Sequence, residues 1–405
     1  MSRFLFVVPP LTGHVNPTVA VGAELISRGH PVAWAGHESV LAQLLPPQAE
    51  LFATDKALAP SQLRTIHTRA QGLRGAEAFR FLWKDFLLPL ADGMLPEVEI
   101  AVEIFHPDVL IVDQQAIAGA VVARRRGLDW ATSATTSSEL GNAYTIFPMF
   151  GAWIAQELHA FQCRAGISAT HGDPRFSEQL VLAFSTPELV GGGPFPPEWV
   201  FVGPAISMRQ KLADFPWSWL DPERHHVLIT LGTVNPASGG RFLSAAVSAA
   251  ARLADRLQAI VVAPDGLLDV TASNVLVRPS VPQSELLPHL DTVVCHGGHN
   301  TVCETLAHGL PLVVAPIRDD QPIIAQQVVD AGVGVRLKYG RVNSDKIVEA
   351  LLAVLETASY SQAALRIQAS FRAAGGASAG ADRLELLATN RLEEAALVNR
   401  GLHLH

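Results

Sequence analysis

The chain has 405 residues, 49% of them hydrophobic and 17% charged, with a formal net charge of −8 and a pI near 6.0. That length accommodates two domains of ordinary size, and that apolar share builds large cores and excludes a disordered chain. The acidic balance lacks the basic face of a nucleic-acid binder, so no nucleic-acid partner is expected. Residues 4–8 form a continuous apolar run that reads as a first buried strand, too short for the apolar core of a secretory signal. Residues 9–14 form the loop behind it. Asn16 followed by Pro17 has the form of a helix N-cap with proline at the first helical position, and Gly29 ends that helix. Residues 31–35 read as a second strand, with a second helix after Ser39. This strand–helix cadence predicts a parallel sheet covered on both faces. The first turn has no GxGxxG, so a nicotinamide cofactor is not indicated.

Residues 55–95 are less regular and read as helices carrying Phe79, Phe81, Leu82, Trp83 and Phe86. Those aromatics fit a packed core, or the walls of an apolar pocket. Residues 109–112 are a buried strand ending at Asp113, followed by a helix whose end carries Arg124, Arg125 and Arg126, the only basic run and most simply a solvated helix end. Trp130–Thr135 reads as the next strand, entering the loop TTSSE, and residues 140–180 look helical. Residues 205–222, rich in proline and without period, read as a linker. The cadence then restarts, with strands at 227–231, 259–263, 275–277, 292–295 and 311–316 and an alanine-rich helix near 240–256. After about residue 375 the chain is helical and polar. Cys163, Cys295 and Cys303 supply neither a disulfide framework nor metal-ligand spacing, which points to a reduced, cytoplasmic setting. No apolar run reaches 18 residues, so no transmembrane span is expected, and attachment to a membrane surface is left open.

The most informative stretch runs from Cys295 to Gln321, CHGGHNTVCETLAHGLPLVVAPIRDDQ. A strand leads into Gly297 and Gly298, and a helix follows from about Asn300, with Thr301 and Glu304 at the spacing of a capping box. A helix that starts directly behind a strand presents free N–H groups and a positive dipole end, which suits phosphate. Asp320 and Gln321 follow the next strand, at the sheet edge where parallel sheets hold ligands.

Pro282-Gln283, His296, Gly298, Asn300, Thr301, Glu304, Gly309, Pro311, Pro316, Asp320 and Gln321 together resemble, in order and spacing, the nucleotide-sugar signature of the family-one glycosyltransferases. The bacterial macrolide and natural-product members are the nearer type. His299 departs from the plant pattern, which has tryptophan there. The resemblance is strongest over residues 227–340 and moderate over 1–35 and 107–137. It implies the GT-B architecture, two Rossmann-like doubly wound α/β domains facing across a cleft. The expected division is an acceptor domain at 1–204, the linker at 205–222, a nucleotide-sugar domain at 223–375, and a terminal helix at 376–405 that returns to the first domain. The implied reaction is an inverting, metal-independent transfer of a hexose, glucose favoured, from a UDP- or dTDP-sugar to a hydroxyl or nitrogen of a small hydrophobic natural product. No cofactor is implied beyond the nucleotide-sugar co-substrate, UDP-glucose being favoured over dTDP-glucose. Two alternatives are a nucleotide-sugar epimerase on the same frame and a non-catalytic sugar-nucleotide-binding partner of another transferase.

Without the resemblance His14 reads as a polar histidine near a helix cap, and Asp113 as a strand-end aspartate capping the next helix. With it, His14 is the base that deprotonates the acceptor and Asp113 the carboxylate that orients it. Donor binding is carried over onto Thr233, His296, Gly298, Asn300 and Thr301 for the diphosphate, Glu304 for the ribose, and Val281 and Gln283 for the pyrimidine. Asp320 and Gln321 fall to the transferred hexose. The acceptor walls are placed at Phe79, Trp83 and Phe86.

Overall fold

Two all-parallel sheets organise the chain in the computed structural model, which describes residues 1–56, 58–70, 72–140, 148–168, 171–206, 214–232 and 239–399. The first sheet contains β1 (Phe4–Val7), β2 (Val32–Gly36), β3 (Glu50–Ala53), β4 (Val109–Asp113), β5 (Asp129–Ala134), β6 (Val181–Ala183) and β7 (Trp199–Phe201), in the order β3-β2-β1-β4-β5-β6-β7. The second contains β8 (His225–Thr230), β9 (Leu257–Val262), β10 (Val275–Arg278), β11 (Thr292–Cys295), β12 (Leu312–Val314) and β13 (Gly334–Arg336), in the order β10-β9-β8-β11-β12-β13. The central strands β1, β4 and β11 are buried along their whole length, as an apolar run covered by helices on both faces must be.

Both orders contain a reversal. The chain winds outward through β1, β2 and β3, then crosses back to lay β4 beside β1, with Phe4 opposite Val109. In the second sheet it winds through β8, β9 and β10 and returns to lay β11 beside β8, with Thr292 opposite Val227. At such a switch point the helices leave the two neighbouring strands on opposite faces, and a crevice opens at the carboxyl ends. His14 and Asp113 follow β1 and end β4. Gly232 and His296 follow β8 and β11. Topology alone therefore places one pair of segments from each domain at a crevice.

The observed elements depart from the sequence expectation in several places. The first helix spans Thr12–Ser27 with Leu11 as its cap, so Pro17 lies inside it and His14 sits in its first turn rather than in a loop. The capping box is not formed, because the helix His299–Ala307 starts at the Gly298 cap and leaves Thr301 inside its first turn. Strand β3 had no clear signal in the sequence. It has only four residues, is partly exposed, and pairs only with β2 at the sheet edge. The proposed linker lies in part outside the described residues, as 207–213 are among those not described.

The last helix, Gly376–Asn399, packs on the first domain. Ala381, Leu384 and Ala388 are buried with Phe4, Val21 and Leu25 in one cluster. Arg28 adds contacts to Asp382 at 2.6 Å and Glu385 at 2.7 Å, and His30 Nε2 reaches Glu385 at 2.8 Å. The ion pairs lie near solvent and contribute little, so the apolar stripe carries the docking. Among the described residues no helix is long and apolar enough to cross a membrane. Replacing Leu384, which is fully buried, with alanine should cost about 2–5 kcal/mol in denaturant unfolding, whereas Leu386→Ala, at a side chain 51% exposed, should change stability by no more than about 0.5 kcal/mol.

Candidate active site

His14 and Asp113 meet at the first switch point. His14 Nδ1 lies 2.9 Å from Asp113 Oδ1 and 3.1 Å from Oδ2. The carboxylate side chain has no solvent exposure and the imidazole retains 14%. Two further donors reach the same carboxylate: the Gln115 backbone N–H to Oδ1 at 2.8 Å and the Thr135 hydroxyl to Oδ2 at 2.6 Å. Thr135 Oγ1 is also 2.7 Å from His14 Nδ1. With its proton committed to Asp113, that hydroxyl accepts a share of the Nδ1–H, so the proton resides on Nδ1 and the lone pair on Nε2. Such a ring takes up a proton at Nε2 while Asp113 stabilises the cation. Burial is the largest single influence on the imidazole and works to lower its pKa. The charge and hydrogen bond of Asp113, with the charges of Asp320 and Glu139, outweigh it and raise the value above that of an ordinary histidine.

The second switch point holds the glycine turn. Gly297 has φ 84°, a left-handed conformation that favours glycine. The ring of His296 lies between two other glycines: a Cβ on Gly232 would stand 2.6 Å from its Cε1, and one on Gly298 2.6 Å from its Nε2. Burial lowers the His296 pKa to about 4, assisted by the charge of Arg318 and opposed by Asp320, so the ring is neutral near pH 7. Its Nδ1 is buried with no hydrogen-bond partner among the described residues. The first helical bond behind the turn runs from Val302 N–H to Gly298 C=O at 3.1 Å, which puts the N–H groups of His299, Asn300 and Thr301 in the unpaired first turn. Arg318 is buried nearby, 3.3 Å from Asp319. A neutral ring, a helix start and a buried guanidinium together are chemically able to seat an anion.

The remaining residues named from the sequence occupy separate positions. Gln283 opens a short helix and donates to Glu304 at 2.6 Å, which joins the supposed base reader to the supposed ribose reader. Val281 is partly buried against the second domain's core. The Gln321 side-chain oxygen accepts from the N–H groups of Ile317 at 2.9 Å and Arg318 at 3.1 Å and thereby braces its own loop. Asp320 follows Asp319, whose φ of 55° turns the chain sharply, and its Oδ2 accepts from Thr136 of the first domain at 2.7 Å. Thr233 lies outside the described residues. Trp83 and Phe86 are buried in the first domain's core, while Phe79 packs on its margin against Phe150 and Trp153.

Several contacts across the cleft had no signal in the sequence reading. The loop Thr135–Glu139 runs across the cleft. Ser137 Oγ lies 2.6 Å from Gln327 Oε1 and 3.1 Å from His299 Nδ1, and His299 Nε2 reaches the Phe184 carbonyl at 3.1 Å. Asn300 Nδ2 donates to the Gly13 carbonyl at 2.9 Å. Glu139 is buried 3.2 Å from Arg175; burial pushes its carboxyl up, against the opposing charge of that arginine. Asn16, Pro17, Phe184, His299, Asn300 and Glu304 line a narrow cleft between the domains. A run of hydroxylated residues between a strand and a helix was the only hint available, and it resembles any polar loop.

Comparison with known proteins bears on the family and the fold. A family model described as UDP-glucoronosyl and UDP-glucosyl transferase matches residues 194–372. The chain is 29% identical to 4'-demethylrebeccamycin synthase of Lentzea aerocolonigenes, over 95% of its own length and 99% of that protein. It is also 29% identical to demethyllactenocin mycarosyltransferase of Streptomyces fradiae, over 95% and 86% of the two chains. Among solved structures it resembles the glycotransferase of kitacinnamycin, with a TM-score of 0.78, 25% identity, and coverage of 95% and 98%.

The electrostatics make a prediction that needs no substrate. In histidine-selective NMR titration, His14 should protonate above the ordinary value near 6.5, being cationic below that midpoint and neutral above it. In Asp113→Asn the largest attraction is gone while burial still acts, so the midpoint should fall below that of the parent protein. His296 should stay neutral until about pH 4 in both.

Proposed function

Because this chain belongs to the family-one glycosyltransferases of the GT-B fold, we propose that it moves a hexose, glucose in the first instance, from a UDP- or dTDP-sugar to a hydroxyl or nitrogen of a small hydrophobic natural product. The observation that supports this most is the pairing across the cleft. A base whose proton-accepting nitrogen is defined stands on one switch point, and an anion seat stands on the other.

The acceptor hydroxyl gives its proton to His14 Nε2 as its oxygen attacks the anomeric carbon. Asp113 holds the imidazolium that forms. Attack comes from the face opposite the departing nucleoside diphosphate, so the anomeric configuration inverts. The bond from the anomeric carbon to the phosphate oxygen breaks, and its electron pair leaves with the diphosphate. The charge that develops there is met by the first-turn N–H groups of His299, Asn300 and Thr301 and by the cation of Arg318, with no metal required. Asp320 and Gln321 receive the sugar hydroxyls, Glu304 the ribose, and Gln283 with Val281 the pyrimidine. Glu304 already accepts from Gln283 at 2.6 Å, so base and ribose recognition share one hydrogen-bonded unit. Thr233 is assigned to the diphosphate on the resemblance alone.

Phe79 is retained for acceptor contact on its partly buried place at the margin of the core, with Trp153 at 6.1 Å between ring centroids. Trp83 and Phe86, at 0% and 4% exposure, belong to the packed core rather than to a pocket wall.

The test is to offer UDP-glucose and dTDP-glucose with pooled hydrophobic aglycones and to detect hexosylated product by mass spectrometry, then read the anomeric configuration by proton coupling. Product with inverted configuration is expected. His14→Ala should lower kcat by about 10²–10⁴ while donor affinity, measured by calorimetry, changes less than about threefold. Wild-type turnover in His14→Ala at saturating donor would remove the base from the mechanism.

A further inference from the structure

At the sugar end of the site, on the donor reading of Asp320 above, the protein sets a hydroxyl of its own beside the carboxylate. Thr136 belongs to the first domain and is 2% exposed. It caps the turn Ser137–Glu139, where its Oγ1 accepts from the Ser138 N–H at 3.4 Å. That role uses an acceptor lone pair and leaves the proton. The Asp320 carboxylate takes it at 2.7 Å, while Ser138 Oγ stands farther off at 3.2 Å. A hydroxyl fixed in direction by the turn it caps therefore donates across the cleft to the carboxylate assigned to the hexose. The loop is held in turn by Ser137, whose contacts to Gln327 and His299 sit on the second domain.

We propose that Thr136 is a specificity-determining residue: its hydroxyl stands on Asp320 where a sugar hydroxyl would, so the site accepts deoxyhexose donors as well as fully hydroxylated ones. A site built to bind a substrate hydroxyl ordinarily rejects the analogue lacking it, because a buried polar group is then left unpaired. Here the lost partner is replaced from within the protein. A fully hydroxylated sugar displaces Thr136 from Asp320 or shares the carboxylate with it. A sugar lacking one of the hydroxyls read by Asp320 leaves the Thr136 bond standing, and the carboxylate keeps two donors. The charge balance is unchanged in either case, since Thr136 is neutral.

The experiment compares wild type, Thr136→Val and Thr136→Ser with UDP-glucose, UDP-3-deoxyglucose and UDP-4-deoxyglucose, recording donor Kd by calorimetry and kcat/KM with one acceptor. Wild type should use at least one deoxy donor within about tenfold of glucose. Thr136→Val keeps the volume but not the proton; it should lose roughly 10–100-fold more on that donor than on glucose, and Thr136→Ser should restore the ratio. Equal losses on all donors in the valine variant would overturn the inference and leave glycosyl transfer intact, as would wild-type rejection of both deoxy donors by more than about 10³-fold. Absence of transfer and of donor binding in wild type would overturn the donor reading itself, and this inference with it.

Discussion

A carboxylate shut away from solvent at the end of β4 is the constraint on which the first half of the molecule depends. An ionised group at that depth is tolerated only if donors meet it. Asp113 is met by the His14 ring, the Thr135 hydroxyl and the Gln115 N–H. Those donors come from the helix behind β1, from the end of β5 and from the turn behind β4 itself. Satisfying one carboxylate thus fixes three segments of the switch point relative to one another. The same convergence defines the tautomer of His14, so the catalytic reading follows from the way a buried charge is accommodated.

The second domain solves a complementary problem. Its turn needs space rather than partners, and two glycines supply it. The His296 ring occupies the volume that a Cβ on Gly232 or Gly298 would take, close to the start of the His299–Ala307 helix. Burial keeps that ring neutral, so it adds no charge to compete with Asp320 or Arg318. Between the halves the Thr135–Glu139 loop acts as a common strut. Its first hydroxyl serves Asp113, its second Asp320 and its third Gln327, so residues of both domains are referenced to a single short segment.

The sequence made the parallel sheets legible because central strands buried on both faces appear as unbroken apolar runs. The glycine turn before Asn300 was legible because small residues between a strand and a helix leave a local mark. His14 and Asp113 were reachable only through the resemblance, since either alone reads as an ordinary polar residue at an element's end. The strut was not legible at all. Thr135, Thr136 and Ser137 act on residues from 22 to 190 positions away in the chain, and no local pattern encodes such pairings. His299 shows the same limit: it stood out only as a departure from a pattern, whereas its position is explained by Ser137 and the Phe184 carbonyl.

Pro17 shows how an apparent sequence error becomes structural information. Read locally, Asn-Pro starts a helix, because proline has no N–H to give the preceding turn. In the fold the helix begins five residues earlier, and the group left without its helical donor is the Gly13 carbonyl, four residues before Pro17. That carbonyl accepts from Asn300 of the other domain at 2.9 Å. A proline that would weaken an isolated helix therefore exposes an acceptor beside His14, and the residue that fills it belongs to the first turn of the anion seat. The gap in one domain's helix and the side chain of the other are complementary, which ties the turn that carries His14 to the turn that follows Gly298.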